Sequence, residues 1–339
     1  MRIISKKIII AFFILLMPYL FTLYICIVRT DQEAILKGGL TDVSSFIDIE
    51  SENEQKGSIN SIYVTTFYPT TIFQNYILNT SKVNTSVDNS YVTHLTTEEL
   101  SYQGKISHNA SVAYSIINAY KLAMEDDNNI KLSYSFAGIR IYYYQKGLAF
   151  KVNDLITKIN GISYLDEEEY KKAWRNQDIG TVFTVLRDNI EIDITLTEAY
   201  FAEQKGYINY NYYSMYDIDG TKSYPKINVS SSGTGGPSGG LLQTLSVYNQ
   251  ITSFDYTYGL TISGTGTMNL DSSVGAIGGI EQKIYTAYEN DVDIFFCPSA
   301  NYQDAYTTWL NLKHKERMKL IEVSTLADAI SYLKNYVYI

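Results

Sequence analysis

The chain has 339 residues, 45% of them hydrophobic and 19% charged, with a formal net charge of −9. That apolar fraction excludes wholesale disorder, and the length suits two or three domains. With 27 basic against 36 acidic residues and no arginine-rich patch, the chain lacks the basic footprint of a nucleic-acid binder. Its two cysteines cannot form a disulfide framework; Cys26 sits in the apolar N-terminal segment, away from Cys297.

Residues 8–28 carry no charge. As a helix they would rise about 31 Å at ~1.5 Å per residue, matching a bilayer core of ~30 Å. Arg2, Lys6 and Lys7 precede the run, while Arg29 is followed by Asp31 and Glu33. This bias predicts residues 1–30 as a cytoplasmic N-terminus and single-pass anchor, with the rest of the chain outside the cytoplasmic membrane. The rival reading is a cleaved signal peptide, but residues 24–28 offer no small-residue cleavage site.

Residues 31–127 read as an α/β spacer in which no chemistry is expected. The β-branched and aromatic residues at 61–68 predict a strand. Thr96 with Glu99 makes a capping box, and Val112, Ile116, Tyr120 and Ala123 recur at helical spacing.

Residues 128–199 predict a compact β-rich module. Strands are expected at 139–144, 154–160, 181–187 and 190–196, with turns at Asn160-Gly161 and Asp188-Asn189. Between them, 165–174 predicts a charged amphipathic helix.

Residues 205–339 carry the candidate chemistry. The stretch 227–240 reads as a strand running into a glycine-rich turn that ends Gly236-Pro237-Ser238-Gly239-Gly240, and Leu241, Leu242, Leu245 and Tyr248 follow at helical spacing. Ser238 is therefore expected at the first turn of a helix, beside free backbone N–H groups that can hold an oxyanion. Pro237 has no N–H, so the expected donors are Ser238 with Gly235 or Gly236. A phosphate loop would need a Gly-Lys-Ser/Thr ending or Gly-x-Gly-x-x-Gly, and neither is present. A second strand ends in a Gly264-Thr265-Gly266 corner. Glycines again open a helix near 280, on which Ile280, Ile284 and Ala287 form the inward stripe. Lys283 lies beside that stripe, with Glu281 and Gln282 expected to face away. Such a lysine is either a snorkelling surface residue or a desolvated amine able to act as a base. None of His94, His108 and His314 has a catalytic context, and no metal-ligand spacing occurs.

Two resemblances organise these readings. The stretch from Gly147-Leu148 through Asn153-Asp154 to Asn160-Gly161 resembles the "GL..GD.I..ING" segment of bacterial PDZ domains, with Asn153 where glycine is usual. That resemblance implies peptide capture, with Ala137, Gly138 and Ile139 as the carboxylate-binding loop and the helix from Tyr170 to Trp174 facing it. A packing or dimerisation module without ligand remains the alternative.

The C-terminal region resembles the Lon-type protease domain, a Ser-Lys dyad fold. The likeness rests on residues 236–240, 263–267 and 274–283, the strand at 293–298 and the closing segment 322–330. It implies Ser238 as nucleophile, Lys283 as base and Thr265 holding the lysine; Gly239 stands where the family usually has alanine. Lon-type domains often assemble into rings, so a homo-oligomer is also implied. No ATPase P-loop is present.

The expected fold class is therefore α+β and multidomain: anchor, spacer, PDZ-like module and C-terminal Lon-type domain. This order resembles the membrane-anchored PDZ–Lon-like proteases of Gram-positive bacteria. The expected function is an ATP-independent serine endopeptidase, without cofactor or metal, acting on unfolded or membrane-tethered proteins. The alternative is a non-catalytic membrane scaffold using the PDZ-like groove.

Overall fold

The computed structural model describes residues 6–51, 53, 55–81, 83–88, 95–144, 149–198 and 210–336. Arg2, His94, the Gly147-Leu148 pair and the expected 199–205 boundary lie outside the described residues. The chain forms two compact units, Met1–Gly38 with Val64–His94, and Gly39–Tyr63 with Leu95–Ile339.

In the first unit, helix α1 (Lys6–Ile27) covers the apolar N-terminal run. Its stretch Ile10–Ile27 is long and apolar enough to cross a membrane, a property that anchors and signal sequences share. Strand β1 (Gln32–Asp42) follows, and its Gln32 to Ile35 pair antiparallel with β4 (Thr85–Asp88). Helix α2 (Ile72–Thr80) opens on a capping box made by Thr71 and Gln74.

The second unit is built on parallel strands. β3 (Ser58–Phe67), β11 (Thr261–Gly264), β14 (Ile294–Pro298) and β15 (Lys319–Val323) lie side by side in the order β15-β14-β11-β3. Each neighbouring pair is parallel. Both faces of this sheet are covered, so β14 is apolar throughout rather than alternating. Ile294 and Phe296 join one cluster with residues of α3 (Thr97–Asp126), α5 (Gly240–Ile251) and α8 (Leu326–Lys334). Phe295 and Cys297 face the opposite cluster, against α6 (Ile280–Glu289) and Ala305 of α7 (Tyr302–Leu310).

The stretch read as a spacer contributes strands and a helix to this unit. β2 (Ile47–Ile49) pairs with β10 (Ile227–Val229), β3 pairs with β11, and α3 packs on α5. Helix α3 carries the expected stripe, with Val112, Ile116, Tyr120 and Ala123 all buried. That stripe needs an apolar partner, and α5 supplies it through Leu241, Leu242 and Leu245.

The β-rich module is thus an insertion within the parallel-sheet unit, between α3 and β10. Its five-stranded antiparallel sheet runs in the order β8-β7-β6-β5-β9. The strands are β5 (Tyr134–Tyr144), β6 (Leu155–Ile159), β7 (Val182–Arg187), β8 (Ile190–Thr195) and β9 (Tyr210–Ile218), with α4 (Glu167–Arg175) between β6 and β7. Asp188 and Asn189 both take positive φ, as a two-residue hairpin turn requires, and Asn153 does the same at φ 78° in place of glycine. Buried Asp154 takes two 2.7 Å hydrogen bonds from Arg187, tying the turn end of this hairpin to the start of β6. The fifth strand, β9, falls in the stretch that the sequence assigns to the C-terminal domain, but it completes the module's sheet by pairing along β5.

Small strands β12 (Thr267–Met268) and β13 (Val274–Gly275) pair with each other and close the corner before α6. Gly240, the first residue of α5, lets that helix approach β12. A Cβ there would lie 2.7 Å from Met268 N and 2.8 Å from Ser111 Oγ. Gly240→Ala is expected to destabilise the protein by about 1–3 kcal/mol, read as a lower urea midpoint with unchanged slope. An unchanged midpoint would show that the contact relaxes freely.

Candidate active site

Ser238 sits just before α5, whose N-cap is Gly239. Helix α3 holds the loop leading to it. Gly236 N–H donates to Gly104 O at 2.8 Å, and Ser111 Oγ donates to Pro237 O at 3.1 Å. His108, one turn after Gly104, places Nε2 2.8 Å from Ser232 Oγ. Burial keeps the His108 pKa below its ordinary value, opposed by a hydrogen bond to the Gly236 backbone. Sequence reasoning missed this role of α3. Gly104 inside an amphipathic helix was its one visible signal, because the backbone at Gly235 packs directly against it.

Thr265 is delivered by the corner after β11. A Cβ at Gly264 would meet Phe296 O at 2.4 Å, and one at Gly266 would meet Val274 Cγ1 at 2.7 Å, so only glycines allow this corner. Thr265 Oγ1 donates to Ser238 O at 3.0 Å, and Gly266 N–H donates to the same carbonyl at 2.8 Å. The corner therefore locks the backbone of Ser238 as well as presenting a hydroxyl.

Lys283 comes from the first turn of α6. Gly279 starts that helix in the left-handed conformation, and Asn301 holds the preceding loop through two hydrogen bonds with Ile277. Lys283 Nζ lies 2.9 Å from Ser238 Oγ and 2.9 Å from Thr265 Oγ1. The side chain is 2% exposed. Ile280, Ile284 and Ala287 are buried beside it as expected, but Gln282 is buried too rather than facing away. Among the described residues no carboxylate pairs with Lys283. Burial alone lowers its pKa to about 7.

The N–H groups of Gly235 and Ser238 donate to no partner among the described residues, so both are available to an oxyanion. Gly236, also expected as a donor, is excluded because its N–H is spent on Gly104.

The expected peptide-binding residues take other places. Ala137, Gly138 and Ile139 lie inside β5 rather than in an open loop. Gly138 and Ile139 pair with Met215 and Ser214 of β9 on one side, and Ile139 pairs with Ile156 of β6 on the other. Among the described residues, the β9 side of this stretch is thus paired apart from a bulge at Ala137. Tyr170 and Trp174 pack into the module's own core against Phe136 and Phe183, and Tyr216 of β9 reaches Glu167 at the start of α4.

Residues 170–334 match the family model of the Lon protease (S16) C-terminal proteolytic domain. This chain carries a Lon-type serine peptidase domain. The match begins inside the inserted module, while β2, β3 and α3, which complete the peptidase core, precede it. No curated protein matches the chain.

The lowered pKa has a consequence for stability. Between about pH 7 and the ordinary lysine value, the folded peptidase binds fewer protons at Lys283 than the unfolded chain does. Stability therefore rises with pH through that window, and near pH 7 the fold bears the cost of excluding the ammonium, on the order of 4 kcal/mol. Lys283→Met, similar in volume, is expected to be more stable than wild type at pH 7 by up to that amount. The gap should narrow towards pH 10 in paired urea titrations. A gap independent of pH would mean that Lys283 does not titrate low.

Proposed function

We propose that the protein is a Ser-Lys dyad endopeptidase, anchored in the cytoplasmic membrane, with its peptidase domain on the outer face and no requirement for ATP. The observation that carries the catalytic part is the buried 2.9 Å contact between Lys283 Nζ and Ser238 Oγ.

The hydrogen-bond directions support the assignment of roles. Thr265 Oγ1 donates its own proton to Ser238 O, so towards Lys283 it can only accept. A neutral amine has two N–H bonds and one lone pair. With one N–H fixed on Thr265, the lone pair is free to face the Ser238 hydroxyl. Lys283 then takes the Ser238 proton as Oγ attacks the scissile carbonyl. The N–H groups of Ser238 and Gly235 stabilise the oxyanion. The lysine returns its proton to the leaving amine, giving an acyl-enzyme. It next takes a proton from water as that water attacks the acyl carbon, and passes it to Ser238 Oγ as the ester bond breaks, which releases the new carboxyl end and restores Ser238.

The membrane part rests on α1 and its charge bias, basic before the uncharged run and, beyond Arg29, acidic after it. The ATP-independent part rests on a sequence without a P-loop. Substrates would then be unfolded, short or membrane-tethered chains. The inserted module is read as PDZ-like, with β9 occupying the strand edge that a peptide would use, so presentation through residues 137–139 forms no part of this proposal. The peptidase domain sets aside the scaffold alternative.

Two outcomes test this reading. The full-length protein in detergent should hydrolyse an unfolded polypeptide at a rate indifferent to ATP, and Ser238→Ala should lower that rate about a thousandfold or more. Retained cleavage in Ser238→Ala would remove the nucleophile. In spheroplasts, protease added outside should digest the region after residue 30, and full protection would reverse the topology.

A further inference from the structure

Helix α2 presents an apolar face that the peptidase reading does not use. Phe73, Tyr76 and Ile77, at helical spacing on one face, are 41%, 69% and 50% exposed. The helix contains no charged residue. Its other side is fixed: Leu78 is buried, and Asn75 accepts from Thr70 Oγ1 at 2.6 Å and donates to Thr30 Oγ1 at 2.8 Å. These bonds set the rotation of α2, so the exposed face is a product of the fold.

The position of α2 identifies what covers that face. Ile72 N–H donates to Val28 O at 3.3 Å, directly after the last residue of α1. Thr30 N–H donates to Thr70 O at 2.8 Å, and Arg29 Nη1 donates to Pro69 O at 3.0 Å. The start of α2 is therefore pinned where α1 ends. If α1 spans the bilayer, that level is the lipid headgroup region, where aromatic side chains partition favourably.

We propose that α2 lies on the outer membrane surface with Phe73, Tyr76 and Ile77 inserted among the lipids, as a second contact beside the anchor. This rests on the anchor reading of α1. The nearby charges are mostly acidic, Asp31, Glu33 and Asp88 around Tyr68. The contact is thus apolar, made with zwitterionic lipid rather than through anionic headgroups.

The test uses the full-length Tyr76→Trp protein in phosphatidylcholine vesicles, with the parent protein subtracting the signal of Trp174 and Trp309. Flotation reports the anchor. Lipid brominated near the top of the acyl chain reports insertion, and iodide reports exposure to water. The expected result is a floating protein whose introduced indole is quenched several-fold by brominated lipid and shielded from iodide. Adding Phe73→Ser and Ile77→Ser should restore iodide access while flotation persists. A floating protein whose introduced indole is open to iodide would overturn the proposal and leave the anchor standing. Shielding from iodide without lipid quenching would also overturn it, since protein would then cover the face. Failure to float would overturn the anchor reading and this proposal together.

Discussion

The proposed chemistry depends on one lysine that is buried without an ion-pair partner among the described residues. Lys283 is buried among Ile280, Ile284 and Ala287 and touches two hydroxyls but no carboxylate among the described residues. An ammonium in such a place loses its hydration and gains no counter-charge, so the neutral amine is favoured. A nearby acid would restore the charge and remove the lone pair that Ser238 needs. The apolar shell is therefore part of the chemistry as much as of the core.

Three separate segments must meet for that shell to enclose a reactive pair. The turn before α5 brings Ser238, the corner after β11 brings Thr265, and the first turn of α6 brings Lys283. They are tied at one carbonyl, Ser238 O, which accepts from both Thr265 Oγ1 and Gly266 N–H. Helix α3 secures the remaining side by holding the backbone at Gly236 and Pro237. A helix more than a hundred residues earlier thus fixes the loop that carries the proposed nucleophile, and the β-rich module is an insertion between the two.

Much of this was legible locally. The glycines around 236–240 and 264–266 mark close backbone approaches, and Lys283 on an apolar stripe marks an unusual burial. The hairpin at Asp188-Asn189 and the left-handed Asn153 follow from turn chemistry. What escaped was non-local. Nothing in the sequence around β2, β3 or α3 states that their partners are β10, β11 and α5. The loop expected at Ala137, Gly138 and Ile139 is strand for the same reason, because β9, some seventy residues later, pairs along it. Gln282 was misplaced because helical spacing alone does not reveal that α6 is covered on more than one side.

The central claim is that neutral Lys283 takes the proton of Ser238. The most direct measurement is the rate of Ser238 acylation by an activated ester from pH 5 to 10, in wild type and Lys283→Arg. The wild-type rate should rise with pH through an apparent pKa near 7. Lys283→Arg, whose guanidinium keeps its proton, should be slower by roughly a hundredfold to ten-thousandfold at every pH. A wild-type midpoint near the ordinary lysine value, or acylation in Lys283→Arg close to wild type, would contradict the account.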